Sequence, residues 1–270
     1  MDINYSIKKE ALRRGYSPRT IRTYQKCVEV FLRQCRKEIG RISKADIREF
    51  LDNLAEREKA GNTINVYLNA LKFFFEQILN KRMKLNIRFS KIPEKLPVVL
   101  TKEELKRLFD AVENKKHKLM LQLMYSAGLR VSELINLKIE DLVLDENYGF
   151  VRKGKGAKDR VFIVAERLKP EIAELTAGRD GLLFENNRNE KYSTRSLQEI
   201  IKNAKKKEGI KKNISCHTLR HSFATHLIEN GQPLTSVQSL LGHKSPETTM
   251  VYVHTANIRR LNIKSPFDEL

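Results

Sequence analysis

A histidine and an arginine three residues apart open the most chemically suggestive stretch of the chain, His217-Thr-Leu-Arg220-His221. On a helix, Leu219, Phe223 and Leu227 fall on one apolar face, while His217 and Arg220 share another on which their side chains converge. A guanidinium beside an imidazole can hold a phosphate and move a proton near it. His221 sits close to His217, so spacing alone does not say which imidazole works. A metal clamp by the two histidines is disfavoured: HTLRH lacks the glutamate of HExxH, and Arg220 between them would repel a cation. A second stretch, Gly242-His243-Lys-Ser245-Pro246, runs on to Tyr252. Ser245 and Pro246 fit N-cap and first helical position, which puts Tyr252 about two turns into a fresh helix and His243 in the turn before it. In a third, Gly128-Leu-Arg130-Val-Ser-Glu133, an arginine follows a glycine break and can point into a cleft, with Glu133 placed to brace it. The fourth, Lys153-Gly-Lys155-Gly-Ala-Lys158-Asp-Arg160, has the composition of a β-turn bearing several cations. It is not a nucleotide-binding loop, because GxxxxGK[ST] is absent.

The elements that must position these residues are mostly helical. Ser17-Pro18 reads as N-cap and N1 of a helix with Ile21, Tyr24, Val28, Phe31, Leu32 and Cys35 at helical spacing. Ser43 opens another, with Ile47, Phe50, Leu51 and Leu54 on one face, and Asn62 or Thr63 opens a third along Ile64, Tyr67, Leu68, Leu71, Phe74, Phe75, Ile78 and Leu79. With a short helix near 4–14, residues 1–88 form a four-helix domain whose outer faces are available to solvent or a partner. Pro93 and Pro97 break the pattern, so 89–100 reads as an extended linker. A second domain, 101–270, starts at the capping box Thr101-Lys-Glu-Glu104. Helices follow at 102–113 and 115–127. Strand-like runs at Leu142–Leu144, Phe150–Arg152 and Val161–Val164 then suggest a small antiparallel sheet. Beyond 166 the pattern is helical again, apart from Leu182-Leu183-Phe184. The expected fold is therefore mainly α with a small antiparallel β-sheet, in two domains.

Lys and Arg outnumber Asp and Glu by 52 to 33 over 270 residues, a formal charge of +19. A surplus of that size attracts a polyanion, and nucleic acid is the usual one. The first 95 residues hold 22 of the basic and 11 of the acidic side chains, so the smaller domain is the more densely basic. No apolar run approaches the roughly 20 residues of a membrane span. The N-terminus has no secretory pattern, and the three cysteines form neither a CxxC nor an even framework. These features lead us to expect a cytoplasmic protein without a membrane partner.

Taken together, Arg130 in GLRVSEL, Lys155 in KGKG, His217 and Arg220 in HTLRHSFATHL, His243 in LLGH and Tyr252 in TTMVYVH resemble the tyrosine recombinase (phage integrase) family, particularly its compact Xer-like and mobile-element members. The likeness covers essentially the whole chain, since the family places a helical DNA-clamping domain before a mixed α/β catalytic one. Lys153 and Lys158 lie in the same hairpin as Lys155. The resemblance implies that Tyr252 is the nucleophile and that Arg130 and Arg220 bind the non-bridging oxygens. His217 would be the base, Lys155 the general acid, and His243 a hydrogen-bond donor to the scissile phosphate. It further implies a 3′-phosphotyrosine intermediate that needs no cofactor, metal or ATP. The implied partner is double-stranded DNA with inverted-repeat core sites, bound by a homotetramer that passes through a Holliday junction and is a monomer when free. The segment from about 254 to 270 would pack on a neighbouring protomer. Two alternatives compete with this reading: DNA relaxation of the type IB topoisomerase kind, and a catalytically silent DNA-binding regulator.

Overall fold

The computed structural model describes residues 2–79, 84–92, 96–152, 159–242 and 247–256. The chain folds as two compact units, Met1–Glu94 and Lys95–Leu270.

The first unit is a four-helix domain. Its helices are α1 (Ile3–Arg13), α2 (Pro18–Cys35), α3 (Lys44–Glu56) and α4 (Gly61–Lys72), and α4 continues into a π-helical turn, Phe73–Ile78. Ser17 accepts a hydrogen bond from the Thr20 amide, with Pro18 behind it, and Ser43 and Asp46 cap each other's backbone reciprocally. Both devices satisfy amides that would otherwise lack a partner at a helix start. Ile7, Phe31, Ile47, Leu68, Leu71, Phe74 and Phe75 are fully buried, and Phe31 meets Phe50 and Phe75 edge-on at centroid distances of 5.1 and 5.9 Å. Phe73 lies off the apolar stripe read from the sequence, yet it too is buried, packed against Tyr16 and Tyr24. The turn that carries it is wrapped by neighbours on more than one side.

Two stretches of the expected linker are held in place. The Ser90 amide donates to Asn65 Oδ1 at 2.8 Å and the Asn65 amide returns a bond to the Ser90 carbonyl, while Lys72 lies 5.0 Å from the Phe89 ring centroid. Leu100 is buried in the second unit and donates its N–H to Ser222 Oγ at 2.9 Å.

The second unit begins with the Thr101–Glu104 capping box and contains α5 (Lys102–Asp110), α6 (Lys115–Ser126) and the short α7 (Val131–Leu134). Strands β1 (Leu142–Val143), β2 (Tyr148–Val151) and β3 (Arg160–Ile163) form an antiparallel sheet in the order β1-β2-β3, with Val151 opposite Arg160 and Tyr148 opposite Ile163. Then come α8 (Lys169–Thr176), α9 (Thr194–Lys207), α10 (Cys216–Glu229), α11 (Leu234–Leu241) and α12 (Glu247–Thr255). The strand-like run at 182–184 makes a single antiparallel bridge, Lys138 to Leu182. The Ser245-Pro246 cap lies outside the described residues.

Helix α10 is the axis of this unit. Ten of its residues are buried, including Thr218, Ser222, Thr225 and His226, so it is wrapped on nearly every side by α6, α9, α11 and α12. A helix in that position has little polar face, and most of its buried polar side chains find partners inside. Ser222 Oγ bonds the Thr218 carbonyl, and His226 Nδ1 lies 2.9 Å from Tyr125 Oη on α6. The expectation of one apolar face on α10 and a separate polar one therefore needs correcting: Arg220 is as buried as Leu219.

Candidate active site

Gly128 ends the α6 segment in a left-handed conformation (φ +58°) and turns the chain so that Arg130 becomes the N-cap of α7. A side chain at 128 would clash, since a Cβ there would lie 2.5 Å from the Phe223 ring and 3.1 Å from Leu241. Gly128→Ala is expected to cost about 2–3 kcal/mol from left-handed strain plus overpacking. A thermal melt of the variant, lowered by roughly 5–10 °C, checks this; an unchanged melt would mean that Phe223 and Leu241 can move aside.

Arg130 is braced by Glu133, which accepts from the Arg130 backbone N–H at 2.8 Å and from Nη1 at 2.6 Å. The same carboxylate, 4 % exposed, takes Arg160 Nη2 at 2.7 Å and stands 3.7 Å from Arg220 Nη1. Three guanidiniums thus surround one buried carboxylate, leaving a local excess of two positive charges. Burial alone would push the Glu133 carboxyl up. The Arg160 charge and the hydrogen bonds from Arg130 and Arg160 outweigh it and hold Glu133 below the ordinary range.

Arg220, 3 % exposed, donates to the backbone carbonyls of Gly128 and Leu241 and so ties α10 to both neighbouring turns. Burial, followed by repulsion from Arg130, pushes its guanidinium down to about 9, which leaves it charged at neutral pH. Arg160, in the sequence one of several hairpin cations, is a buried member of this network. It starts β3, donates to the Leu240 carbonyl and lies against Gly242.

Tyr252, on α12, is 3 % exposed and packs with Phe223, Ala224, Ile228, Val237, Leu241 and Ala256. Its Oη lies 3.0 Å from His221 Nδ1. Burial raises the phenol, against the opposing pull of Arg220 and Arg130. Burial also drives the His221 imidazole down to about 4, with His217 and Arg220 adding to the effect. His217 faces solvent one helical turn away, 6.3 Å from His221 between ring centroids. Its imidazole is also lowered, by desolvation first and then by Arg220 and Arg130.

The fold therefore gathers Arg130, His217, Arg220 and Tyr252 and adds Glu133, Arg160 and His221. Lys155 and His243 lie outside the described residues. Arg160 and Gly242, which border their segments, pack against each other. Such an arrangement can hold an anion on fixed cations beside a phenol whose hydroxyl has an imidazole partner.

Comparison with known proteins finds matches for both parts of the chain. Residues 98–259 match the phage integrase family, and residues 6–85 match the phage integrase N-terminal SAM-like domain. Tyrosine recombinase XerA of Pyrococcus horikoshii is 38% identical over 255 residues, covering 91% of this chain and 87% of the relative. Tyrosine recombinase XerD of Oceanobacillus iheyensis is 35% identical over 273 residues, covering 92% and 91%. Among solved structures, the XerH site-specific recombinase bound to palindromic difH substrate in a post-cleavage complex aligns with a TM-score of 0.73 at 26% identity, covering 91% of this chain and 79% of that one. No described helix is long and apolar enough to cross a membrane. With both domain types matched in order and relatives covered almost end to end, the chain belongs to the phage integrase family, as a tyrosine recombinase of the Xer/integrase type.

Proposed function

We propose that this chain cleaves and rejoins DNA at specific sites through a 3′-phosphotyrosine bond to Tyr252, exchanging strands by way of a Holliday junction. The observation that carries this reading is the buried Tyr252 hydroxyl, hydrogen-bonded to an imidazole in the field of Arg130 and Arg220. A phosphodiester is anionic and gains charge in the pentavalent transition state, so two preorganised guanidiniums on its non-bridging oxygens lower the barrier. Lys155 protonates the departing 5′ oxygen and His243 hydrogen-bonds the phosphate. The phenol needs a base, and His217 is the candidate. The phosphotyrosine bond keeps the energy of the phosphodiester, so rejoining needs no ATP.

The partner is duplex DNA bearing inverted-repeat core sites, gripped by the basic helical domain. Four protomers act on two such duplexes, with the segment beyond about 254 reaching a neighbouring protomer. Xer-type dimer resolution and integration or excision of a mobile element share this chemistry and differ in the site supplied. Two paired core sites on one plasmid, incubated with the protein, test the reading. Recombinant products should appear together with adducts that carry protein on the 3′ end and a free 5′ hydroxyl. Relaxation of plasmids lacking any core site, without strand exchange, would instead indicate topoisomerase-like action. Binding without adducts would indicate a silent regulator.

A further inference from the structure

We propose that Arg160 is a positioning residue for the general acid, tying the root of the hairpin that carries Lys155 to the end of α11. The proposal rests on Lys155 being the group that protonates the leaving oxygen, and it names what holds that group in place. Lys155 falls in the connection between β2 and β3, outside the described residues, but both roots of that connection are described. Val151 and Arg160 are the last paired residues before it. On the β2 side, Arg152 donates from Nε to Asp141 Oδ1 at 2.6 Å, a tie close to its own sheet, and its side chain stays 59 % exposed. On the β3 side the tie is long-range. Arg160 shares the inward face of the strand with Phe162, its side chain 8 % exposed, and donates to Glu133 Oε2 at 2.7 Å and to the Leu240 carbonyl. Gly242, the residue before His243, closes on the same side chain: a Cβ there would lie 2.7 Å from Arg160 Cδ. One guanidinium therefore fastens together the segments that bear Arg130, Lys155 and His243.

Stability alone is a poor reason for an arginine at this place. The inward position beside Phe162 suits an apolar side chain, and apolar replacements of buried ionic groups are often as stable. Burial pushes the Arg160 guanidinium down, against the pull of Glu133. Its Nε finds no hydrogen-bond partner among the described residues, which is a further cost. What a guanidinium adds is a rigid fork that meets a carboxylate and a carbonyl at once. In cleavage, Tyr252 Oη bonds to phosphorus, the P–O5′ bond breaks, and its electron pair leaves on O5′, which takes a proton from the Lys155 ammonium. In rejoining, the neutral amine takes that proton back from the attacking 5′ hydroxyl. An ammonium on a flexible four-carbon stem is placed by the backbone that bears it. A misplacement of about 1 Å can cost on the order of 10²-fold in rate, so the root of that hairpin has to be held.

Single-turnover cleavage of two nicked suicide duplexes tests this, one with the ordinary 5′ oxygen at the scissile phosphate and one with sulfur in its place. Thiols ionise at about pH 8.5, far below alcohols, so the sulfur leaves as a thiolate and needs no acid. Arg160→Lys keeps a cation beside Glu133 but cannot fork to the Leu240 carbonyl as well. It should cleave the oxygen duplex about 10–100-fold more slowly than wild type, and the sulfur duplex within about threefold of it. Arg160→Met fills the inward position with an apolar chain and serves the same comparison if the lysine variant does not fold. Adding either change to Lys155→Ala should slow the oxygen duplex little further, because the group being positioned is already gone. Equal losses on both duplexes would mean that Arg160 acts through Glu133 on the other arginines, or on stability alone, and would overturn the proposal. An undiminished oxygen rate would overturn it too. If sulfur does not recover Lys155→Ala itself, Lys155 is not the acid, and the failure lies in the chemistry on which the proposal rests.

Discussion

Tyr252→Phe is expected to abolish covalent capture of DNA on a suicide substrate while leaving binding intact. The change removes one oxygen and little else. The ring sits 3 % exposed among Phe223, Ala224, Ile228, Val237 and Leu241, and a phenyl group fills that space as well as a phenol. What is lost is the oxygen proposed to attack, together with its 3.0 Å bond to His221 Nδ1. An unpartnered, partly buried acceptor costs about 1–3 kcal/mol, and a neutral imidazole that keeps some access to water belongs at the low end. The melt should fall by only a few degrees, then, while denaturant-resistant adducts fall below detection. That combination separates a chemical loss from an unfolding one. Adduct formation at the normal rate would move the nucleophile to one of the other tyrosines, and the arginine cluster around Arg220 would need a different explanation.

The elements of this fold were legible wherever local chemistry decides them. Ser17-Pro18, Ser43 and Thr101 with Glu104 announce helix starts because a side-chain oxygen must meet an amide two or three residues on, and all three caps form. The three strands were readable for the same reason, since alternation and turn residues are short-range signals. Arg130, with its glycine break and its partner three residues away, was equally local. Arg160 was not. It reaches Glu133 across 27 residues and the Leu240 carbonyl across 80, contacts that exist only once β3 packs on the end of α11. Nor could spacing choose between His217 and His221. They stand four residues apart on α10, and only the packed helices show that His221 meets the tyrosine of α12 while His217 is exposed. Phe73 and the buried polar side chains of α10 have the same cause: periodicity reports one apolar face, and it fails where a helix is enclosed on several.

Glu133→Gln is expected to be strongly destabilising, at about 3–5 kcal/mol, the usual cost of deleting one partner from a buried ionic cluster. For a domain of this size, that is a lowering of the melt on the order of 10 °C. Glutamine preserves the shape but leaves Arg130, Arg160 and Arg220 with no carboxylate among them, and at 4 % exposure solvent does little to replace it. The pH dependence has a definite sign. The folded-state pKa of Glu133 lies below the unfolded value of about 4.3, so its stabilisation is complete above that value and drains away as pH falls through the lower, folded one. The gap between wild type and variant should be full at pH 7 and narrow below about pH 4, as both proteins then face unneutralised arginines. Sulfate, binding the folded variant through the exposed side of the cluster, should recover part of the loss at pH 7. Equal melts at pH 7 would show that water already screens the arginines. A gap that persists undiminished at low pH would trace the loss to packing, and the cluster would no longer be the reason that a carboxylate stands at 133. If the gap closes as described, Glu133 has a second role besides stability. It holds three cations at fixed distances from one another in the absence of DNA, so that the phosphate meets a site whose repulsions have already been overcome by folding.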